Sequence, residues 1–76
     1  MNNRSIRIIA NEIVQNWPKI NYAALPYLQA MLVLDTIRDK YYEDSARSIV
    51  LYFLSNASGF RGDIAKRIKL ELKAML

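Results

Sequence analysis

The residues best placed to do chemistry are the cations near the end of the chain. Arg61, Lys66, Arg67, Lys69 and Lys73 crowd residues 61–76, against only Asp63 and Glu71. On a helix that turns about 100° per residue, Lys66, Lys69 and Lys73 cluster opposite the apolar stripe. Asp63, Arg67 and Glu71 recur one turn apart along a flank, the spacing at which opposite charges pair. That pairing would leave three lysines uncommitted, with Arg61 at the helix entrance. Such a row binds anions, either the phosphates of a nucleic acid or the carboxylates of a protein. The plain alternative is a solvated helix face, because lysine is a good helix former. Asparagine and glutamine, the usual readers of adenine, are missing from this segment. A nucleic acid would therefore be held through its phosphates, with an affinity that falls steeply in salt.

Apolar residues away from the helical stripes are the second signal. Ile8, Leu51, Tyr52 and Leu70 all point away from the faces that the surrounding pattern buries. Scattered exposure is ordinary, but a contiguous patch marks an interface. The candidate protein-binding set is therefore Leu51, Tyr52, Lys66, Lys69, Leu70 and Lys73, for a protein partner or a second copy of the chain. The candidate nucleic-acid set is Arg61, Lys66, Lys69 and Lys73, with Arg4 and Arg7 in support.

Enzyme chemistry has little to stand on. Histidine and cysteine are both absent, which removes the commonest general base, the commonest metal ligand and all thiolate chemistry. Asp35 and Asp39 lie one helical turn apart near Glu43 and Asp44, and paired carboxylates can hold Mg²⁺ or move protons. Here no nucleophile and no glycine-rich phosphate loop accompanies them, and Arg38 and Lys40 stand ready to neutralise them. Tyr41, Tyr42 and Arg47 could line a small pocket, although tyrosines at a helix junction usually act as packing lids. Arg61-Gly62-Asp63 spells an adhesion tripeptide; at a helix start, Asp63 reads better as a first-turn acid favoured by the helix dipole. No catalytic residue, cofactor or metal is expected.

A chain of 76 residues makes one domain, 1–76, with few layers of core, and chains of this size often lean on a partner. The formal charge of +4 is unevenly spread. Residues 1–20 carry Arg4, Arg7 and Lys19 against Glu12. Residues 21–60 are mildly acidic, and residues 61–76 are basic again. The longest apolar run, Tyr27–Leu34, is far short of the roughly 20 residues of a membrane span. No secretory signal pattern is legible at Met-Asn-Asn-Arg-Ser. The expected setting is the cytoplasm, without membrane contact.

Four helices are expected to position these residues. Ile6, Ile9, Ala10, Ile13, Val14 and Trp17 mark one face of a first helix from about Ser5, capped by Ser5 or Asn3, to Asn16; Pro18 ends it. Pro26 suits the first turn of a second helix running to about Lys40, apolar nearly all round at first and so expected to be the most buried. Asp44 is the expected cap of a third, from about Ser45 to Asn56, with the stripe Ala46, Ile49, Val50, Phe53, Leu54 and Ala57. Gly59 would supply a left-handed C-terminal cap. A fourth begins near Ser58 or Gly62, with the stripe Ile64, Ala65, Ile68, Leu72 and Met75. Trp17 and Phe53 should anchor the core. The first and third stripes match forty residues apart, which suggests a duplicated hairpin, though a shared helical period explains the likeness more simply. No run alternates cleanly enough to announce a strand. The expected fold is an all-α, four-helix domain with short connections.

Three blocks carry a resemblance: Tyr22–Leu32 (YAALPYLQAML), Asp44–Ser58 (DSARSIVLYFLSNAS) and Phe60–Leu72 (FRGDIAKRIKLEL). Together they look like small all-helical accessory proteins encoded by phages and integrated mobile elements. The resemblance covers nearly the whole chain and implies a setting, short proteins that act by binding, among them inhibitors of bacterial defence systems. It brings no activity and no functional residues of its own. The expectation is a non-enzymatic module that binds a protein or itself, with nucleic-acid binding as the alternative.

Overall fold

The first apolar stripe folds as helix α1, Ile6–Asn16, in a computed structural model that describes residues 4–76. Ile6, Ile9, Ala10 and Ile13 are buried, whereas Val14, expected on the same face, is not. Ser5 occupies the N-cap without a side-chain hydrogen bond. The free amides of the first turn are met from elsewhere: Ile6 N–H donates to the Asp35 carbonyl and Arg7 N–H to that of Leu34, both at 2.9 Å. A distant loop thus does the capping that a local side chain usually does. Asn3, the other candidate cap, lies outside the described residues.

Helix α2, Leu25–Met31, ends well before the expected Lys40. Its last amides switch to the tighter i→i+3 pattern, Val33 to Ala30 and Leu34 to Met31. Two local side chains then outcompete further helix. The Asp39 carboxylate accepts the N–H groups of Asp35 (2.8 Å) and Thr36 (3.0 Å), and the Thr36 hydroxyl accepts that of Arg38. Short polar side chains of this kind offer the backbone an alternative to the helical ladder. The same turn releases the carbonyls that α1 needs. Three of its seven residues, Leu28, Ala30 and Met31, are buried, the largest share of any of the four helices, as its apolar first half led one to expect, while Leu25 and the following Val33 are exposed.

Residues 32–39, expected to continue α2, form turns, and the connection to the third helix, expected to be a loop, forms an antiparallel hairpin, which corrects the all-α expectation to a mostly helical fold with one small sheet. Strands β1, Lys40–Tyr41, and β2, Asp44–Ser45, pair Lys40 with Ser45 and Tyr41 with Asp44. Tyr42 and Glu43 make the turn, and Tyr42 takes a φ of 57°, the left-handed region. Helix α3, Ala46–Ser55, follows directly. Its cap is Ser45 rather than Asp44, since the Ser45 hydroxyl accepts the Ser48 N–H at 3.1 Å. Helix α4, Asp63–Met75, starts after Gly62, whose φ of 107° suits glycine alone. The left-handed residue of this connection is therefore Gly62, not Gly59.

Among the described residues, all fully buried side chains are apolar. Trp17 organises the junction of α1, α3 and α4: it stacks on Phe60 at 5.2 Å and meets the edge of Phe53 at 6.2 Å. Aromatic pairs in these offset and edge-on arrangements add roughly 0.5–1.5 kcal/mol each beyond their buried area. Phe60, unremarked in the helical stripes, is a full member of the core.

Candidate interaction surface on the last helix

The stripe Ala65, Ile68 and Leu72 presses α4 into the core, and its charges divide into two flanks. On the α1 side, Arg67 and Glu71 both have partners on or next to α1. The Arg4 guanidinium grips Glu71 through two bonds, Nε to Oε2 at 2.9 Å and Nη2 to Oε1 at 2.7 Å, and also lies 2.9 Å from Glu12 Oε1. Arg67 donates to the other Glu12 oxygen. The result is a chain of alternating charges, Glu71–Arg4–Glu12–Arg67, that staples the start of α1 to α4. The hydrogen bond from Arg67, followed by that from Arg4, holds the Glu12 carboxyl below the usual carboxylate range, and the bond from Arg4 does the same for Glu71.

This arrangement corrects two expectations. The i,i+4 pairing of Asp63, Arg67 and Glu71 does not form; Arg67 and Glu71 reach across to α1 instead. Arg4 and Arg7, counted as supporting cations for a nucleic acid, are committed, Arg4 as described and Arg7 to Asp35 at 2.9 Å. Asp35 and Asp39 in turn do not form a paired acid site neutralised by Arg38 and Lys40. One serves Arg7; the other is held ionised by the backbone N–H groups of Thr36 and Asp35.

The opposite flank is built differently. Lys66 and Lys73 are exposed, and no carboxylate pairs with Lys66, Lys69, Lys73 or Arg61 among the described residues. Lys69 is half-buried, its Nζ 5.9 Å over the Phe60 ring. Burial lowers its pKa, and the charges of Lys73 and Arg61 lower it further. The Arg61 side chain is steadied by the Ser58 carbonyl at 3.3 Å. Leu70 stands between these charges, 68% exposed, with Lys66, Arg67, Lys73 and Ala74 as its one-turn neighbours. A cleft of about 390 Å³ opens at the base of the ridge, walled by Phe60, Arg61, Gly62 and Ile64.

Leu51 and Tyr52 are each about half-exposed on α3, as their off-stripe positions required. The Tyr52 ring lies 5.6 Å from that of Tyr27, which assigns it to the seam between α2 and α3. Ile8 is exposed as well. Two features escaped the sequence. Phe60 is the platform under Lys69, a relation between a loop and a later helix that no periodicity encodes. Tyr42 is presented at the hairpin tip, because the hairpin itself was not legible.

A second cleft, about 370 Å³, lies beside Ser5, Ile6, Ile37 and Met75, but the charged groups in its wall, Arg4 and Asp35, are already paired. No three carboxylates gather to hold a metal among the described residues, and no helix there is long and apolar enough to cross a membrane. The chain matches no protein-family model, no curated protein and no solved structure.

Proposed function

We propose that this chain is a non-enzymatic binding module of the cytoplasm whose α4 ridge docks a protein bearing acidic and apolar groups. One observation carries the proposal: a widely exposed leucine lies between Lys66 and Lys73, which pair with no carboxylate among the described residues, on a helix whose other flank ties Arg67 and Glu71 to Glu12 and Arg4. Apolar contact at Leu70 would supply affinity, and the lysines would supply steering and register. The likeness to accessory proteins of phages and mobile elements supports a role of this kind, inhibition of a host defence factor being one form of it.

Affinity capture from the native host tests the proposal. The wild type and Lys66→Glu/Lys69→Glu/Lys73→Glu are compared by mass spectrometry, with and without nuclease. A protein retained by the wild type, resistant to nuclease and lost from the variant, is the expected result. A protein retained equally by both overturns the ridge as the docking surface.

Nucleic-acid binding is the second reading, favoured by the mutual repulsion of Lys69, Lys73 and Arg61. It is weakened by the commitment of Arg4 and Arg7 to ion pairs. Gel shifts at about 50 mM salt decide it, since phosphate binding is strongest at low ionic strength.

A further inference from the structure

Tyr42 sits in a conformation that its side chain disfavours and receives little packing in return. At a φ of 57° its Cβ crowds the backbone, and two-residue hairpin turns ordinarily place glycine or asparagine there. Tyr42 is 86% exposed, and its ring meets that of Tyr41 edge-on, at 4.8 Å between centroids. Strain kept without a packing gain is a mark of function. Beside it, Glu43 and Asp44 are exposed and form no ion pair among the described residues. Cations occur only at the hairpin's base and beyond: Arg38 and Lys40 before the turn, and Arg47 in the first turn of α3. The tip itself is an aromatic ring beside two carboxylates.

We infer that the tip, Tyr42–Asp44, is a docking knob and that its receptor is the α4 ridge of a second copy of the chain. This rests on the ridge being a docking surface, as proposed above. The complementarity is on both sides chemical: carboxylates meet Lys66, Lys69 and Lys73, while the tyrosine ring meets Leu70 and stacks under a lysine ammonium. The contact is heterologous, knob to ridge, so it either closes as a reciprocal pair or continues as a chain. A knob this small buries far less than the roughly 1,200 Å² of a stable complex, so the association is weak and depends on salt.

Sedimentation velocity on the full chain, from about 20 µM to about 1 mM in low salt, provides the test. The weight-average mass of the wild type should rise with concentration, and added salt should reverse the rise. Tyr42→Gly should stay monomeric yet melt at a higher temperature, because it removes the knob and relieves the backbone. Glu43→Lys/Asp44→Lys and Lys66→Glu/Lys69→Glu/Lys73→Glu should each be monomeric alone and associate when mixed. A wild type that stays monomeric throughout overturns the inference, as does a Tyr42→Gly variant that associates like the wild type. A monomeric wild type that still captures its partner through the ridge separates the failure of this inference from that of the proposed function.

Discussion

The two flanks of α4 carry similar residues and do opposite work. Toward α1, Arg67 and Glu71 enter a four-membered chain of alternating charge that ties the start of the chain to its last helix. Away from α1, Arg61, Lys66, Lys69 and Lys73 have no carboxylate partner among the described residues, and one of them is pressed onto an aromatic ring. The charge toward α1 is paired and partly covered; the charge on the other flank is left unpaired at some cost to the monomer. The difference teaches that composition alone does not assign a basic helix to binding, because part of its charge belongs to the fold.

The sharpest way to break this comparison is to reverse each flank in turn. Lys66→Glu/Lys69→Glu/Lys73→Glu should weaken partner binding at least tenfold, about 1.4 kcal/mol, without lowering the melting temperature. A matched fall in binding and in stability, measured by titration calorimetry and thermal melts, would merge the two flanks into one structural surface.

On the folded flank, Glu12→Gln should cost about 1 kcal/mol in urea unfolding, since one carboxylate serves both Arg4 and Arg67. Partner binding should stay within error of the wild type. The double variant Glu12→Gln/Arg4→Met should lose less than the sum of its parts, because the two residues share one network.

Acid unfolding sharpens the same contrast. Glu12 and Glu71 have folded pKa values below the usual range, chiefly through hydrogen bonds from Arg67 and Arg4 respectively. Their contribution is present above the unfolded carboxylate value of about 4.3 and is lost as pH falls through the folded values. The Arg4→Met variant should show a shallower loss of stability over that acid range than the wild type.

The smallest effect expected is at Lys69. Its pKa is lowered by burial, then by Lys73 and Arg61, so the charged form opposes folding. Stability linked to this residue is recovered as pH rises through the folded value toward the unfolded one, about 10.4. Lys69→Met keeps the stem over Phe60, removes the charge and should raise stability by a few tenths of a kcal/mol while weakening partner binding. A loss of stability would show that Lys69 serves the fold after all.

What the sequence by itself determined is most of what depends on the local helical period, although Val14 and Ile64, on the expected stripes, are exposed. The stripes of α1, α3 and α4 place the core correctly at Ile6, Ile9, Ile13, Ile49, Phe53, Ile68 and Leu72, and Trp17 and Phe53 are buried in it as expected. Pro18 and Pro26 bracket the first connection, and off-stripe residues such as Ile8, Leu51, Tyr52 and Leu70 are exposed for the same geometric reason. The lysine flank was legible too, because a shared helical face needs only spacing. What the tertiary structure decided are relations between segments far apart in the chain. The end of α2 depends on carbonyls claimed by α1 and on the Asp39 turn, so a helical pattern through Leu34 and Ile37 yields to turns that lead into the hairpin. The partners of Arg67 and Glu71 lie across the molecule, at Glu12 and Arg4, although nearer charges stood one turn away. A one-turn pair on an exposed helix gains only a few tenths of a kcal/mol, whereas a partly covered two-point grip by an arginine gains more, and only the packed molecule makes the second available.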